Sequence, residues 1–203
     1  MKGTFIVIEG GDGAGKDTQV DLLKETLGEE HFLFVHDPGS TEIGLRLRET
    51  VLRDKRVTCS AELLIYLAAR AQMVEERIKP ALEEGIHVIS NRFDLSTIAY
   101  QIYGRQRTDL LEFFKGVSDF ARGGLIPDLL IFLDCPPEVG LRRTVESGKE
   151  LDRFEEEKLA FHERVYAGYQ KHIADYMHVR IDATATAKEV HEEVLKVVQK
   201  VVK

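Results

Sequence analysis

The sequence has no tryptophan and only two cysteines, Cys59 and Cys135, among its 203 residues. Two cysteines so far apart, without a C-x-x-C pair, argue against a disulfide framework and against a thiolate metal site. The seven histidines form no H-E-x-x-H pattern and no pair four residues apart, so a histidine zinc site is not expected either. We therefore expect a cytoplasmic protein without structural zinc or disulfides.

Long apolar runs and an excess of positive charge are also absent. No apolar stretch approaches the roughly 18 residues that a membrane span requires. The first residues lead directly into a strand-like stretch, without the layout of a signal peptide. The formal net charge of −7 argues against a general nucleic-acid-binding surface. We expect neither a membrane nor a nucleic acid as partner, although a few arginines gathered in one cleft would still bind an anion.

What the sequence does contain is a regular alternation of strand and helix patterns. No repeat or linker divides the chain, so we predict one domain, 1–203. Strands are predicted at 4–9, 31–36, 87–90, 128–133 and 179–181. Helices are predicted at 16–27, 41–52 and 60–84, the last with a buried stripe of Leu64, Leu67, Ala71, Val74 and Ile78. A final helix presents Val190, Val194, Val197 and Val201 on one face.

This alternation predicts an α/β fold in which a five-stranded parallel sheet is flanked by helices on both faces. Ligands in such folds bind beyond the carboxyl ends of the strands. The segments expected to form a site are therefore 9–17, 37–41, 91–101 and the residues that follow 134.

A glycine-rich turn follows the first predicted strand, with the G-x-x-x-x-G-K spacing of a P-loop. Its residues are Gly10, Gly11, Asp12, Gly13, Ala14, Gly15 and Lys16. Glycines allow successive backbone N–H groups to point at phosphate oxygens, the helix N-terminus adds its dipole, and the lysine reaches the β- and γ-phosphates. The alternative, a glycine-rich turn with a chance lysine, is disfavoured by four glycines in a strand–turn–helix context.

The P-loop departs from its usual form at Asp17, where a serine or threonine hydroxyl would hold Mg²⁺. Thr18 follows, but one residue along a helix is a rotation of about 100°, so its hydroxyl does not replace the missing one. A carboxylate binds Mg²⁺ directly, which makes Asp17 a candidate metal ligand. The competing interpretation is a solvated acid at a helix N-terminus, where negative charge is favourable.

Five stretches combine into a wider pattern: EGGDGAGKDTQ at 9–19, DPGST at 37–41, LAAR at 67–70, NRFDLSTIAYQ at 91–101 and LDRFE at 151–155. In these stretches the chain resembles the thymidylate kinase family, and the match extends over nearly its whole length. The arginine of the fourth stretch, together with its AYQ, is specific to the family, whereas the P-loop is not.

The resemblance implies a P-loop nucleoside-monophosphate kinase of three layers, with a short mobile lid at about 143–155. It implies transfer of the γ-phosphoryl group of ATP to dTMP, with Mg²⁺, in dTTP synthesis. Family members are commonly homodimers that pack through helices near 60–84, and this chain is expected to be one.

The resemblance also implies roles for single residues. The substrate-binding set is Asp37, Pro38, Tyr66, Arg70, Arg92, Thr97, Tyr100 and Gln101. In this set Tyr66 stacks on the pyrimidine, Arg70 grips its carbonyl edge, and Arg92 holds the monophosphate. Tyr100 presses against C2′ of the sugar and disfavours a ribose. Considered alone, Tyr66 would be a core residue, and Arg70 or Arg77 a solvated helix face.

The lid is expected to supply a cation. Some family members carry an arginine in the P-loop, whereas others have a glycine there and use a basic lid residue; here the position is Gly13. The candidates are Arg143, Lys149 and Arg153, and we favour Arg153 because its D-R-F-E context matches best. Arg142 is expected to lie over adenine. The predicted catalytic residues are thus Lys16, Arg92, Arg153 and Asp12.

A second departure is Asn91, where the family has an acid that helps to fix Mg²⁺. Our hypothesis is that the carboxylate has changed places: Asp17 binds or orients the metal, and the Asn91 amide donates a hydrogen bond to it. The rival interpretation is a weak or inactive nucleotide-binding homologue. A kinase for another or modified deoxypyrimidine monophosphate also stays open. A GTPase is not supported, because the sequence has no N-K-x-D motif.

Overall fold

The computed structural model describes residues 2–148 and 150–202. Within them five strands form one parallel sheet, in the order β2-β3-β1-β4-β5. The strands are β1 Phe5–Glu9, β2 Phe32–His36, β3 His87–Asn91, β4 Leu129–Asp134 and β5 His178–Asp182. Each predicted strand agrees with the observed one to within one residue at either end, so the predicted five-stranded parallel sheet is confirmed.

Helices cover both faces of the sheet. They are α1 Lys16–Leu27, α2 Glu42–Arg53, α3 Cys59–Met73, α4 Lys79–Glu83, α5 Asp94–Thr97, α6 Leu111–Ala121, α7 Pro137–Glu146, α8 Leu159–His172 and α9 Ala187–Val201. A π-helical turn, Val74–Ile78, joins α3 to α4, and a second one, Ile98–Gly104, continues α5. The predicted helix at 60–84 is thus one helical segment that contains a π-helical turn.

The burial of the central strand shows why the fold has three layers, with helices on both faces of the sheet. Ile6 and Ile8 are fully buried against α1 and α9, whereas Phe5 and Val7 are buried against the π-helical turn Val74–Ile78. Successive side chains of a strand point to opposite faces, so both faces of β1 must be covered. This burial explains why β1 reads as a continuous apolar run.

The predicted stripe on the long helix is wrong at one position. Leu64 has 51% of its surface exposed, and the neighbouring Leu63 is buried instead. The buried face runs through Leu63, Leu67 and Arg70, at helical spacings of four and three residues. Leu64 lies one residue, about 100°, away from that face. In the last helix, the buried valines are Val190, Val194 and Val198, and the predicted Val197 and Val201 are half-buried.

The sheet order brings the predicted site segments together. β1 lies between β3 and β4, with Ile8 opposite both Asn91 and Ile131. The P-loop that follows β1 is therefore flanked by the segments that follow β3 and β4, at the carboxyl edge of the sheet. In the described part of the chain, no helix is both long enough and apolar enough to cross a bilayer.

Candidate active site

A cavity of about 470 Å³ opens at the carboxyl edge of the sheet. Its lining includes residues 12–19 of the P-loop and α1, 36–38 after β2, and Arg92, Ser96, Thr97, Tyr100 and Gln101 after β3. Tyr66, Arg70, Arg143 and Phe154 also line it. Most of the predicted site residues therefore share one cavity. The exceptions are Gly10, Gly11, Arg142 and Arg153, which do not line it.

The P-loop packs tightly against the first turns of α7. Gly13 has φ of 70°, and a Cβ atom built on it would lie 1.9 Å from the carbonyl oxygen of Gly140. A side chain at this position would displace α7, so the family's P-loop arginine has no room here. Gly15, with φ of 88°, is the left-handed residue that precedes α1. Both glycines are thus required by the backbone.

Lys16 is the cation of the P-loop and is buried at the start of α1. Its Nζ atom donates to the carbonyl oxygen of Gly11 at 2.6 Å, so the ammonium is folded back over the loop. Burial lowers the pKa of Lys16 to about 8. An anion placed in the P-loop would reverse that shift, because it would replace the lost hydration of the ammonium.

Asp17 and Asn91 are hydrogen-bonded, although 74 positions separate them. The Asn91 Nδ2 atom donates to Asp17 Oδ1 at 2.5 Å, and the buried Asn91 Oδ1 accepts no hydrogen bond from the described residues. Desolvation works to raise the pKa of Asp17, but Lys16, the hydrogen bond from Asn91 and Arg92 outweigh it and hold that pKa below its usual value. Asp17 is therefore a carboxylate at neutral pH.

These two residues also bear on Mg²⁺. Within residues 2–148 and 150–202, no three histidine, cysteine, aspartate or glutamate side chains are grouped so as to hold a metal. Mg²⁺ does not need such a cage, because it is commonly held by one or two carboxylates, water and substrate phosphates. One ionised carboxylate beside an unpaired amide oxygen fits that pattern, so the residues present suit the ion.

Arg92 is the polar centre of the cavity. It follows β3 with φ of 72°, a left-handed conformation that a side chain adopts only when its surroundings impose it. Its guanidinium donates to Asp12 Oδ1 at 2.8 Å and lies 4.8 Å from the ring centroid of Tyr100. Further acceptors are the Gly10 carbonyl, Ser96 Oγ, Tyr169 Oη and Tyr100 Oη. The guanidinium is thus held in place before any substrate binds.

Glu9 explains how the turn after β3 is fixed. This fully buried carboxylate, the last residue of β1, accepts from the backbone N–H groups of Phe93 and Ser96 at 2.9 and 3.1 Å. Ser96 Oγ and Tyr169 Oη also donate to it. Burial raises the pKa of Glu9 above its usual value. The central strand thereby fastens the segment that carries Arg92.

Arg70 is not a solvated helix residue. It is 1% exposed, and its guanidinium donates to Asp37 at 2.6 Å, Asp94 at 2.9 Å, Thr97 at 2.8 Å and the carbonyl of Phe93 at 3.2 Å. An arginine has five N–H donors, so one N–H of Arg70 is left for a ligand. Burial raises the pKa of Asp37, whose Oδ1 accepts no hydrogen bond from the described residues.

The aromatic residues form the wall beside Arg70 and Arg92. Tyr100 donates to Asp12 Oδ1 at 2.7 Å, and Tyr66 lies half-buried at the cavity. Gln101 donates to the buried Glu62 at 3.1 Å. Pro38 follows Asp37 in a cis peptide bond and also lines the cavity. Arg77, the other arginine of this helical segment, is exposed and donates to the Ser40 carbonyl.

The predicted lid cations occupy different places. Arg143 lines the cavity and donates to the Ala183 and Thr184 carbonyl oxygens at 2.6 and 3.0 Å. Arg142, expected over adenine, has a side chain that is 67% exposed and does not line the cavity. Arg153 is paired with Glu62 instead of facing the P-loop. The expectation for Lys149 lies outside the described residues.

The sequence does not single out several residues that line the cavity or lie behind its wall. Arg48 donates to His36 and to the Pro38 carbonyl, and burial lowers the pKa of His36 to about 4, so this ring is neutral. Phe154 belongs to the LDRFE stretch at 151–155, and an aromatic residue among polar neighbours is a sequence signal that its ring is buried. Tyr169, on α8, carried no local signal because its partners lie far away in the sequence.

Comparison with known proteins agrees with this geometry. The family model described as thymidylate kinase matches residues 8–194. A thymidylate kinase of an Exiguobacterium species is 42% identical over 201 residues, covering 96% of this chain and 93% of that protein. Those of Carboxydothermus hydrogenoformans and a Synechococcus species are 42% and 44% identical, each over 96% of this chain and over 96% and 94% of their own lengths. The chain belongs to the thymidylate kinase family.

Proposed function

We propose that this protein transfers the γ-phosphoryl group of ATP to dTMP, with Mg²⁺, and releases ADP and dTDP. The observation that carries the proposal is one cavity that contains both a P-loop and the cluster formed by Arg92, Arg70 and Tyr100. The P-loop suits a triphosphate, and the cluster suits a second phosphate attached to a flat, polar base. A nucleotide-binding module without catalysis would need the P-loop but not this cluster for a second phosphate and a base.

The acceptor lies between α3 and the segment after β3. Arg92 holds its monophosphate, because a guanidinium fixed at a known angle binds phosphate oxygens in pairs. Tyr66 stacks on the base, and the remaining N–H of Arg70 donates to a base carbonyl. Tyr100 lies against the sugar, where its ring leaves little room for a 2′-hydroxyl. Supporting polar contacts to the base come from Thr97 and Gln101.

The donor lies over the P-loop and the start of α1. Backbone N–H groups of Gly10 to Thr18 surround its phosphates, and Lys16 bonds to the transferred group. Of the lid arginines, Arg143 is the better candidate for a contact with the donor, since it lines the cavity and Arg142 does not. When bound at Asp17 and Asn91, Mg²⁺ would neutralise charge on the donor phosphates.

The transfer step needs position and positive charge more than a strong nucleophile. An oxygen of the dTMP phosphate forms a bond to the γ-phosphorus, and the bond from that phosphorus to the β–γ bridging oxygen breaks. The electron pair stays on ADP. Lys16 and Arg92 approach the moving group from its two sides, while Asp12 holds Arg92 and Tyr100. The other carboxylate oxygen of Asp12, Oδ2, is buried and lies 3.6 Å from His162 Nδ1.

A coupled kinase assay tests the proposal. The purified protein is given ATP and Mg²⁺ with dTMP, dUMP, dCMP, dGMP, UMP or CMP. We expect dTMP to be turned over in preference to UMP. Preference for another deoxypyrimidine monophosphate would keep the mechanism and replace the substrate. No turnover of any acceptor, with ATP still bound, would make the chain a nucleotide-binding homologue and overturn the proposal.

The exchange of carboxylate and amide at the metal position has its own test. Asp17→Thr and Asn91→Asp are made singly and together, and kcat is measured against Mg²⁺ concentration. Because each single change leaves either no carboxylate or two, we expect each to lower kcat about 10-fold or more, and the pair to restore it. Simply additive losses in the double variant would contradict the exchange.

We also propose that the chain is a single kinase domain, that two copies form a homodimer, and that the protein is cytoplasmic. Exposed apolar side chains lie on the adjoining helices α2, α3 and α6, namely Ile43, Leu64, Phe113 and Phe120. Apolar side chains exposed on adjoining helices suit a protein interface. The two cysteines are free, which suits a reducing compartment. Sedimentation of the protein should give twice the monomer mass, and Phe120→Glu should shift it toward the monomer.

A further inference from the structure

Glu62 is a buried carboxylate on α3 that the proposed reaction does not use. Its side chain is fully buried. Oε1 accepts from Gln101 at 3.1 Å and from Arg105 Nε at 3.2 Å, and Oε2 is paired with Arg153 at 3.1 Å. A buried charge persists only when it is paired, so this carboxylate joins the helix of Tyr66 and Arg70 to the lid segment.

Arg153 makes its contacts with α2, α3 and the segment between them. Besides Glu62, its guanidinium donates to the carbonyl oxygens of Val51 and Val57 at 3.4 and 3.1 Å. Val51 lies in the last turn of α2, and Val57 shortly precedes α3. The Arg153 side chain is 13% exposed and does not line the cavity. A cation that stabilises the transferred phosphoryl group would have to face the P-loop, and this one faces the joint between α2 and α3.

The contacts of Arg153 fix the position of the residue that follows it, Phe154. Asp152 Oδ1 accepts from the backbone N–H groups of Phe154 and Glu155, so the chain turns tightly at Arg153. The turn directs Phe154 into the cavity wall, where its ring is 5% exposed. Its centroid lies 5.9 Å from that of Tyr100 and 6.4 Å from that of Tyr66, in edge contacts. Phe154 therefore touches both aromatic residues assigned to the acceptor nucleoside.

We propose that Arg153 and Glu62 are positioning residues for the acceptor: their ion pair fastens the 152–155 turn so that Phe154 completes the dTMP pocket. The proposal rests on the proposed function, because the acceptor is the one named there. It also assigns Arg153 to the binding of dTMP and not to the transition state. Truncation of Arg153 then weakens dTMP binding and leaves the transfer step almost unchanged.

The test separates KM for dTMP from kcat. Arg153→Met keeps the length of the side chain and leaves Arg105 to pair with Glu62. We expect KM for dTMP to rise about 10-fold or more, the scale of a lost charge-assisted hydrogen bond. KM for ATP and kcat should stay within about threefold of wild type. Phe154→Ala, which keeps the ion pair, should give the same pattern. The matched control is Lys55→Met, because Lys55 forms an exposed pair with Glu156 of the lid segment at 2.6 Å.

A binding measurement removes the dependence on turnover. The chain has no tryptophan, so Phe154→Trp is a single fluorescent reporter at the proposed wall. Its emission should shift on addition of dTMP without ATP, and the midpoint of that shift should move about 10-fold or more when Glu62→Gln is added. Thermal unfolding of each variant checks that the fold is kept. Should Arg153→Met or Glu62→Gln unfold, Phe154→Ala alone decides.

The outcomes are distinct. Loss of kcat by about 100-fold in Arg153→Met, with KM for dTMP unchanged, would make Arg153 a transition-state cation and overturn the inference. If the fluorescence emission of Phe154→Trp did not change on addition of dTMP, the inference would also be overturned. Failure of the wild-type protein to phosphorylate dTMP would instead refute the proposed function.

Discussion

The two walls of the cavity differ in the groups that form them: one is formed mainly by side chains, the other mainly by backbone N–H groups. The wall that we propose binds dTMP, the acceptor wall, consists of buried and half-buried side chains that bond to one another, such as Arg70 with Asp37 and Asp94, or Arg92 with Asp12. The wall that we propose binds ATP, the donor wall, consists mainly of backbone N–H groups in a glycine-rich loop, with Lys16 as its buried cation. One wall is a network of partners that are distant in sequence, and the other is a single short segment.

This difference follows from what each wall must recognise. A triphosphate offers repeated anionic oxygens, for which a ring of N–H groups and a helix N-terminus suffice. A pyrimidine monophosphate must be told apart from its relatives, which requires polar groups fixed at defined positions. Changes in the acceptor wall should therefore damage binding and folding together, whereas changes in the donor wall should act mainly on ATP binding.

The largest effect is expected from Arg92→Met in the acceptor wall. Its guanidinium is expected to hold the acceptor phosphate and to face the moving group, so kcat/KM for dTMP should fall about 10³-fold, the scale for losing such a charge donor. Initial rates over a range of dTMP concentrations give the value. A methionine at position 92 would have the same left-handed backbone conformation as the arginine, so the substitution does not change the backbone strain at that position.

Arg92→Lys is the matched control, because it keeps the charge and loses the paired geometry. It should recover only part of the activity. ATP binding to Arg92→Met, measured by calorimetry, should fall far less than kcat/KM, because Lys16 and the backbone N–H groups of the P-loop are kept although the bonds from Arg92 to Gly10 and Asp12 are lost. A loss of kcat/KM smaller than about 10-fold would remove Arg92 from the centre of the acceptor wall.

The second effect concerns stability. Arg70→Met leaves the buried carboxylates of Asp37 and Asp94 without their main partner, although Arg122 still pairs with Asp94 at 3.1 Å. Breaking such a pair costs about 3–5 kcal/mol of unfolding free energy. The midpoint of urea denaturation should fall accordingly. Arg56→Met, at an exposed pair with Asp54, is the control and should leave the midpoint unchanged. Equal midpoints for both variants would show that the acceptor wall does not support the fold.

The same contrast decides how much of the molecule could be predicted from the sequence. Strand limits and the P-loop were predictable, because each depends on a contiguous pattern of apolar residues or glycines. The Asp17–Asn91 hydrogen bond joins residues 74 positions apart, and the sequence predicts it because two motif positions depart from the family's pattern in complementary ways. The carboxyl ends of neighbouring parallel strands then bring such positions together.

What could not be predicted depends on the direction of side chains. Arg153 matched its motif, but spacing does not reveal that the 152–155 turn sends the arginine to Glu62 and the phenylalanine to the cavity. Leu64 was misplaced because a shift of one residue on a helix moves a side chain by about 100°. Tyr169 and Glu9 are 160 positions apart, and neither carries a local signal of their hydrogen bond.

The smallest effect, and the one that tests the donor wall, is the pH dependence of ATP binding. Burial lowers the pKa of Lys16 to about 8 in the free protein. The ammonium form is the one that we propose binds the phosphates, and raising the pH through 8 depletes that form. From pH 7 to pH 9, the apparent Kd for ATP should therefore rise about 10-fold at most. Calorimetry in two buffers should show proton uptake on binding above pH 8.

Lys16→Arg is the control, because arginine stays charged over this range and its profile should be flat. The stability of the free protein should show the opposite trend. The folded pKa of Lys16 lies below the unfolded value of about 10.4, so between these values the unfolded state holds more protons. The unfolding free energy of wild type should thus rise with pH relative to Lys16→Arg. A flat ATP profile in wild type would mean that backbone groups alone hold the donor, and that the two walls differ even more than the structure suggests.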